Sequence, residues 1–237
     1  MIAPARPSTP GFFGRAWNRI YEAGYGHLRG LVMLLARPLF LVRPIDRPAV
    51  LPDGPLIVCA NHASYLDPAF VQLVVDRRIV FVMTNDFYKV RAAQWFFKLV
   101  GAIPVGSGRL ARNGLERAIG LLRDGQVIGI FPEGRLSTDG SLGQPQRGVS
   151  ILARMGQAPV VTVGIDGNLE AWPRGRKWLQ RADVRVAIGE TVAPPPAHPA
   201  PGRQEERAYA AQVMTAIGGA LDKARKRRKR GAADRAL

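Results

Sequence analysis

The chain is 237 residues long, 47% hydrophobic and 22% charged, with a formal net charge of +16. That length suits one α/β domain with appendages, and that charge calls for a polyanionic partner: an anionic membrane surface, nucleic acid or phosphorylated substrates. The lone Cys59 excludes an intramolecular disulfide framework and fits a reducing compartment, and no run reaches the roughly 20 apolar residues of a membrane-spanning helix.

Residues 1–11, with Pro4, Pro7 and Pro10, read as a disordered leader without the apolar core of a secretory signal. Residues 12–54 read as an amphipathic helical segment. Phe12, Phe13, Trp17, Ile20, Tyr21 and Tyr25 fit an i, i+4 spacing, with Arg15, Arg19, Arg29 and Arg37 among them, and Leu28 to Leu35 suggests a second helix. Such a face suits the interfacial layer of a bilayer, and equally suits packing on a domain core.

Leu56 to Ala60 is a predicted strand and Pro68 to Val75 the helix after it. Ile79 to Met83 gives a second strand, Asp86 to Val100 a helix, and Ala102 to Val105 a third strand. Gly106-Ser107-Gly108-Arg109 turns into a helix over Leu110 to Arg123, closed by Asp124-Gly125. Val127 to Phe131 is a fourth strand ending at Pro132-Glu133-Gly134-Arg135. After a polar loop come a helix from Arg147 to Met155 and strands over Val160 to Ile165 and Val184 to Ile188. Residues 193–202 hold five prolines and form an extended connector. A helix from Gln204 to Lys226 then runs into the basic tail at 223–230. Alternating strands and helices predict an α/β fold with a mostly parallel or mixed central sheet flanked by helices.

The stretch with most chemical content is Asn61-His62-Ala63-Ser64-Tyr65-Leu66-Asp67-Pro68. On one ideal helix, five residues rotate by about 500°, leaving His62 and Asp67 roughly 140° apart. They meet if His62 lies in the turn before the helix and Asp67 in its first turn, where Pro68 is well tolerated. That arrangement makes a base and its orienting carboxylate. Two further strand ends carry Arg109 and Glu133-Gly134-Arg135, and in an open α/β sheet all three converge on one crevice. Guanidinium groups there suit a phosphate. Glu133 has a plainer reading, in which it pairs with Arg135 to anchor its turn. The chain has no Gly-x-Ser-x-Gly elbow, and His27, His62 and His198 lack metal-ligand spacing, so neither a serine nucleophile nor a metal is expected.

In order, the His62–Asp67 stretch, Gly101-Ala102-Ile103-Pro104-Val105 with Arg109, Phe131-Pro132-Glu133-Gly134-Arg135-Leu136-Ser137, and Ala158-Pro159-Val160-Val161-Thr162-Val163 form a set. This set resembles the four blocks of the glycerolipid acyltransferase family, which includes 1-acylglycerol-3-phosphate acyltransferases. The resemblance covers roughly residues 55–173, within an expected acyltransferase domain at 55–192 followed by the connector and a C-terminal helix and tail at 203–237. It implies transfer of a fatty acyl group from acyl-CoA or acyl-carrier protein, as co-substrate and without a cofactor, to the free hydroxyl of lysophosphatidate. His62 is implied as the base and Asp67 as its orienting carboxylate. Arg109, Glu133, Gly134 and Arg135 are implied to hold the glycerophosphate, and Pro159 to border the acyl donor.

Two departures bear on the acceptor. The third block reads Glu-Gly-Arg-Leu where the family has Glu-Gly-Thr-Arg or Glu-Gly-Ser-Arg, and Gly106-Ser107-Gly108 separates Arg109 from its strand. Another lysophospholipid or a lyso amino-acid lipid is therefore the alternative acceptor. From a different class, the rival is a non-catalytic lipid- or nucleic-acid-binding protein. The His-Asp pair argues against it, because binding needs no base. The basic tail lacks interleaved aromatics and favours anionic lipid over nucleic acid. A peripheral protein at the cytoplasmic face of the cell membrane is the expected setting.

Overall fold

Short apolar runs supply the strands and amphipathic runs the helices. In the computed structural model, which describes residues 40–45, 51–88, 94, 97–98, 100–198 and 202–233, the chain begins with β1 (Phe40–Ile45), β2 (Leu56–Ala60) and α1 (Asp67–Val74). It continues through β3 (Ile79–Thr84), the short α2 (Asn85–Tyr88), β4 (Ile103–Val105), α3 (Arg109–Arg123) and β5 (Val127–Ile130). Next come α4 (Gly148–Gly156), β6 (Val160–Asp166), α5 (Asn168–Ala171), β7 (Ala182–Val192) and α6 (Arg203–Ala233).

The strands form one sheet in the order β1-β7-β6-β2-β5-β3-β4. From β6 to β4 all neighbours are parallel, while β7 runs antiparallel to β6 and parallel to β1. The expected mixed sheet flanked by helices is what forms. One face buries Val58, Val163 and Val186 against Phe70, Val71 and Val74 of α1. The other buries Ile57, Ile128 and Val160 beneath α3, α4 and α6, through side chains such as Leu122, Leu152 and Ile217. Burial on both faces explains why the central strands read as unbroken apolar runs.

α6 lies close enough that a Cβ on Gly164 would stand 2.1 Å from the Leu221 backbone nitrogen, so only glycine allows this approach. Among the described residues no helix is long and apolar enough to cross a membrane.

Three boundaries differ from the sequence reading. Phe40–Ile45, placed within a helical segment, is a strand. It occupies the sheet edge, where Pro44 is tolerated although it cannot donate a ladder hydrogen bond. β7 extends beyond Val184 to Ile188 because it pairs with strands on both sides. α6 continues past Lys226, since Lys and Arg are good helix formers and Asp166 at the end of β6 pairs with both Arg225 and Arg228. Residues 1–39 lie outside the described residues, and with them the expected leader and amphipathic helices. So do residues 89–93, 95–96 and 99 of the helix expected over Asp86 to Val100, whose start is described as α2.

Candidate active site

The parallel strands β6, β2, β5, β3 and β4 end on one edge, where an α/β sheet forms its crevice. At the end of β2, Asn61 turns its side chain sideways. Its Nδ2 donates to the Ile165 carbonyl at 2.9 Å, and its Oδ1 accepts the Ile165 N–H at 2.7 Å. This two-point clasp to β6 fixes the backbone from which His62 projects.

Asp67 opens α1, with Pro68 behind it, and is fully buried. Its Oδ2 meets His62 Nδ1 at 2.9 Å and accepts the N–H groups of Ala63 and Ser64 at 2.7 and 2.8 Å. Its Oδ1 accepts from Asn168 Nδ2 at 2.7 Å. Four donors on one buried carboxylate match the requirement that a buried charge be fully hydrogen-bonded. The bond at Nδ1 places that proton between ring and carboxylate and leaves Nε2 as the nitrogen that can accept from an incoming hydroxyl.

The His62 ring stacks on Phe131, centroids 4.0 Å apart, and Phe131 stacks in turn on Phe81 at 5.8 Å. This aromatic wall fixes the ring's plane, while 18% of the His62 side chain remains accessible from the crevice. The turn is also held from its far side. The Trp172 carbonyl accepts the Tyr65 N–H at 3.1 Å and the Ser64 Oγ at 3.2 Å, which commits Ser64 to a structural bond.

Glu133 makes backbone contacts that hold the His62 turn. It is 4% exposed, and its Oε1 and Oε2 accept the backbone N–H groups of His62 at 3.2 Å and Gly143 at 2.9 Å. Each oxygen thus takes a backbone donor, and Glu133 ties the His62 backbone to the loop at Gly143. The alternative pairing with Arg135 is replaced, since Arg135 points to solvent. Burial pushes the Glu133 pKa up, opposed by those two donors and by nearby His62, with Asp67 adding to the rise. Gly134 makes the turn possible: its φ is +67°, and a Cβ there would lie 2.4 Å from Gln146 Nε2.

Of the arginines, Arg135 follows β5, the strand beside β2. Arg109 starts α3 after β4, three strands from β2 and so about 14 Å along the edge at the strand ends. Both are exposed and open to an anion. Pro159 precedes β6, with its carbonyl accepting the Ile57 N–H at 2.9 Å, at the opposite end of the strands from His62. A strand length of roughly 17 Å separates the two. Arg147 precedes α4 and pairs with Glu206 at 2.8 Å.

Asn61, Phe131, Asn168 and Trp172 escaped the sequence reading as functional positions. Asn61 and Phe131 stood inside quoted motifs, beside residues with obvious chemistry. Asn168 and Trp172 reach the site from about 100 residues away, through the β6–β7 connection, and no spacing rule marks them.

The geometry is that of an imidazole with an oriented tautomer at the C-terminal edge of the parallel strands. Comparison with known proteins supplies the family. Residues 43–166, more than half of the chain, match the family model described as Acyltransferase. A chloroplastic 1-acyl-sn-glycerol-3-phosphate acyltransferase of Brassica napus is 28% identical over 143 residues, covering 59% of this chain and 41% of that protein. The 1-acyl-sn-glycerol-3-phosphate acyltransferase of Bacillus subtilis is 25% identical over 142 residues, covering 59% of this chain and 68% of its own. The chain thus spans under half the length of the plant relative. The crystal structure of the 1-acyl-sn-glycerophosphate (LPA) acyltransferase PlsC from Thermotoga maritima shares the fold, with a TM-score of 0.61 at 24% identity, covering 76% of this chain and 71% of that one. By the extent of the family match, the chain belongs to the acyltransferase family.

Proposed function

We propose that this protein transfers a fatty acyl group from an acyl thioester to the free hydroxyl of lysophosphatidate, forming phosphatidate. The observation that carries this reading is the 2.9 Å bond from His62 Nδ1 to the fully buried Asp67, within a chain of the acyltransferase family. His62 Nε2 takes the proton of the acceptor hydroxyl as its oxygen attacks the thioester carbonyl. Asp67 holds the tautomer and stabilises the imidazolium. The tetrahedral intermediate collapses with cleavage of the C–S bond. The departing thiolate takes the proton from the imidazolium, which returns His62 to its starting state. No acyl-enzyme forms, consistent with Ser64 Oγ being directed to the Trp172 carbonyl. No cofactor is required, and either coenzyme A or an acyl-carrier protein presents the acyl group.

Arg135, on the strand beside His62, is the nearer candidate for the acceptor phosphate, and Arg109 the farther one. The replacement of the family's Glu-Gly-Thr-Arg by Glu133-Gly134-Arg135-Leu136 favours a second reading in which the acceptor is another lysophospholipid or a lyso amino-acid lipid. The net charge of +16 supports a peripheral position on an anionic membrane, on its cytoplasmic side. The test presents purified protein with acyl-CoA or acyl-carrier donors and a panel of lyso acceptors, reading free thiol and product mass. Lysophosphatidate should be the preferred acceptor. Thiol release with no acceptor on the panel, under conditions where a known acyltransferase is active, would refute the reading.

A further inference from the structure

Two stretches unused by the acyl-transfer chemistry lie on the same edge of the sheet as His62. The loop at 172–181 leaves α5 and enters β7, whose first residues lie beside the C-terminal end of β6. It carries exposed Arg174, Arg176, Lys177 and Arg181. Between them, Trp178 is 80% exposed and Leu179 42% exposed, and Trp178 is the most exposed large hydrophobic side chain among the described residues.

The second stretch is the end of α6. Arg228 pairs with Asp166 at 3.6 Å and with Glu170, and Arg225 reaches Asp166 at 3.8 Å, which holds the helix end at the top of β6. Lys226, Arg227, Lys229 and Arg230 remain exposed, paired with no described carboxylate. An apolar pair raised between two cationic stretches is an interfacial arrangement: indole and leucine enter the headgroup layer while the cations lie among anionic headgroups.

We propose that this edge is the docking face for an anionic bilayer, with Trp178 and Leu179 as its anchor. The proposal takes its purpose from the acyl-transfer reading, since docking there turns the crevice toward the layer that holds the lyso acceptor. The Trp172 carbonyl, at the root of the same loop, accepts from Ser64 and Tyr65, so the anchor is tied to the turn that carries His62. Docking thereby sets the height of the base above the headgroups. Nucleic acid has phosphates for the cations and a base for the indole, but no use for Leu179, and the bilayer takes both side chains.

The test is depth-resolved and needs no catalysis. Cys59 is fully buried, so a cysteine in Trp178→Cys takes an environment-sensitive thiol fluorophore selectively. Arg123→Cys, at the end of α3 on the opposite edge, is the control. On vesicles of equimolar phosphatidylcholine and phosphatidylglycerol, the label at 178 should shift to the blue and be quenched by headgroup nitroxides, while the label at 123 stays in water. Replacing Arg174, Arg176, Lys177 and Arg181 together by Gln should weaken partitioning on the order of a thousandfold at low salt. The kcat on a soluble short-chain acceptor should not change.

Absence of vesicle binding by the unsubstituted protein, equal quenching at both sites, or a vesicle-bound protein whose label at 178 stays in water would each overturn the proposal. A spectral shift at 178 with duplex nucleic acid but not with vesicles would assign the face to that partner instead. Insertion of the label in a protein that transfers no acyl group would leave the docking face standing and remove the acyl-transfer reading.

Discussion

Asn168→Ala removes one of the four donors on Asp67 and leaves the rest of the His62 turn in place. The lost bond is 2.7 Å long and ends on Oδ1 of a fully buried carboxylate, an oxygen with no other partner among the described residues. A hydrogen bond to a charged group contributes about 1.5–3 kcal/mol. Applied wholly to the transition state, in which imidazolium and carboxylate face each other, that range lowers kcat roughly 10- to 150-fold. The acceptor KM should stay near wild type, because Asn168 lies behind Asp67 and away from the rim. The assay is steady-state thiol release with acyl-CoA and lysophosphatidate, resolved into kcat and KM and paired with a melting curve. A variant that melts earlier but keeps kcat within about twofold would refute a positioning role and leave Asn168 as packing alone.

Other consequences follow from the same geometry. Glu133→Gln sets an amide NH2 against the N–H of either His62 or Gly143 and should destabilise the fold by about 1–3 kcal/mol in denaturant unfolding. Because burial raises the Glu133 pKa, the native state holds that proton at a higher pH than the unfolded chain does. Its stabilising contribution is therefore full below the unfolded pKa and declines as pH rises through the folded value, and the Gln variant should lack that decline. Gly134→Ala forces a Cβ into the left-handed region and onto Gln146, and should lower stability by about 1–3 kcal/mol by thermal melting, with loss of activity. Arg135→Ala should raise the acceptor KM at nearly constant kcat, and by more than Arg109→Ala does. Equal effects would contradict the strand order as the source of that ranking.

The central sheet and the His-Asp pair were legible because local physics dictates them. Strands buried on both faces show as apolar runs, and the separation of His62 from Asp67 permits contact only across a turn-to-helix junction. What stayed hidden depends on contacts distant in sequence. β1 was obscured by Arg43 and Pro44, which an edge strand tolerates and a central one does not. The backbone bonds of Glu133 were hidden because its position in a motif says nothing about burial. Pro159 was read from its motif alone, and only strand direction shows that it stands at the end of β6 opposite His62. Asn168 and the exposed Trp178 loop come to the catalytic edge through the reversal from β6 to β7, a topological fact that no local pattern records.

The most direct test of the central claim is the turnover of His62→Ala measured beside wild type with acyl-CoA and lysophosphatidate. Loss of a positioned general base should reduce kcat by about 10²–10⁴-fold in a protein that still folds. A His62→Ala enzyme turning over at the wild-type rate would contradict the assignment of His62 as the base.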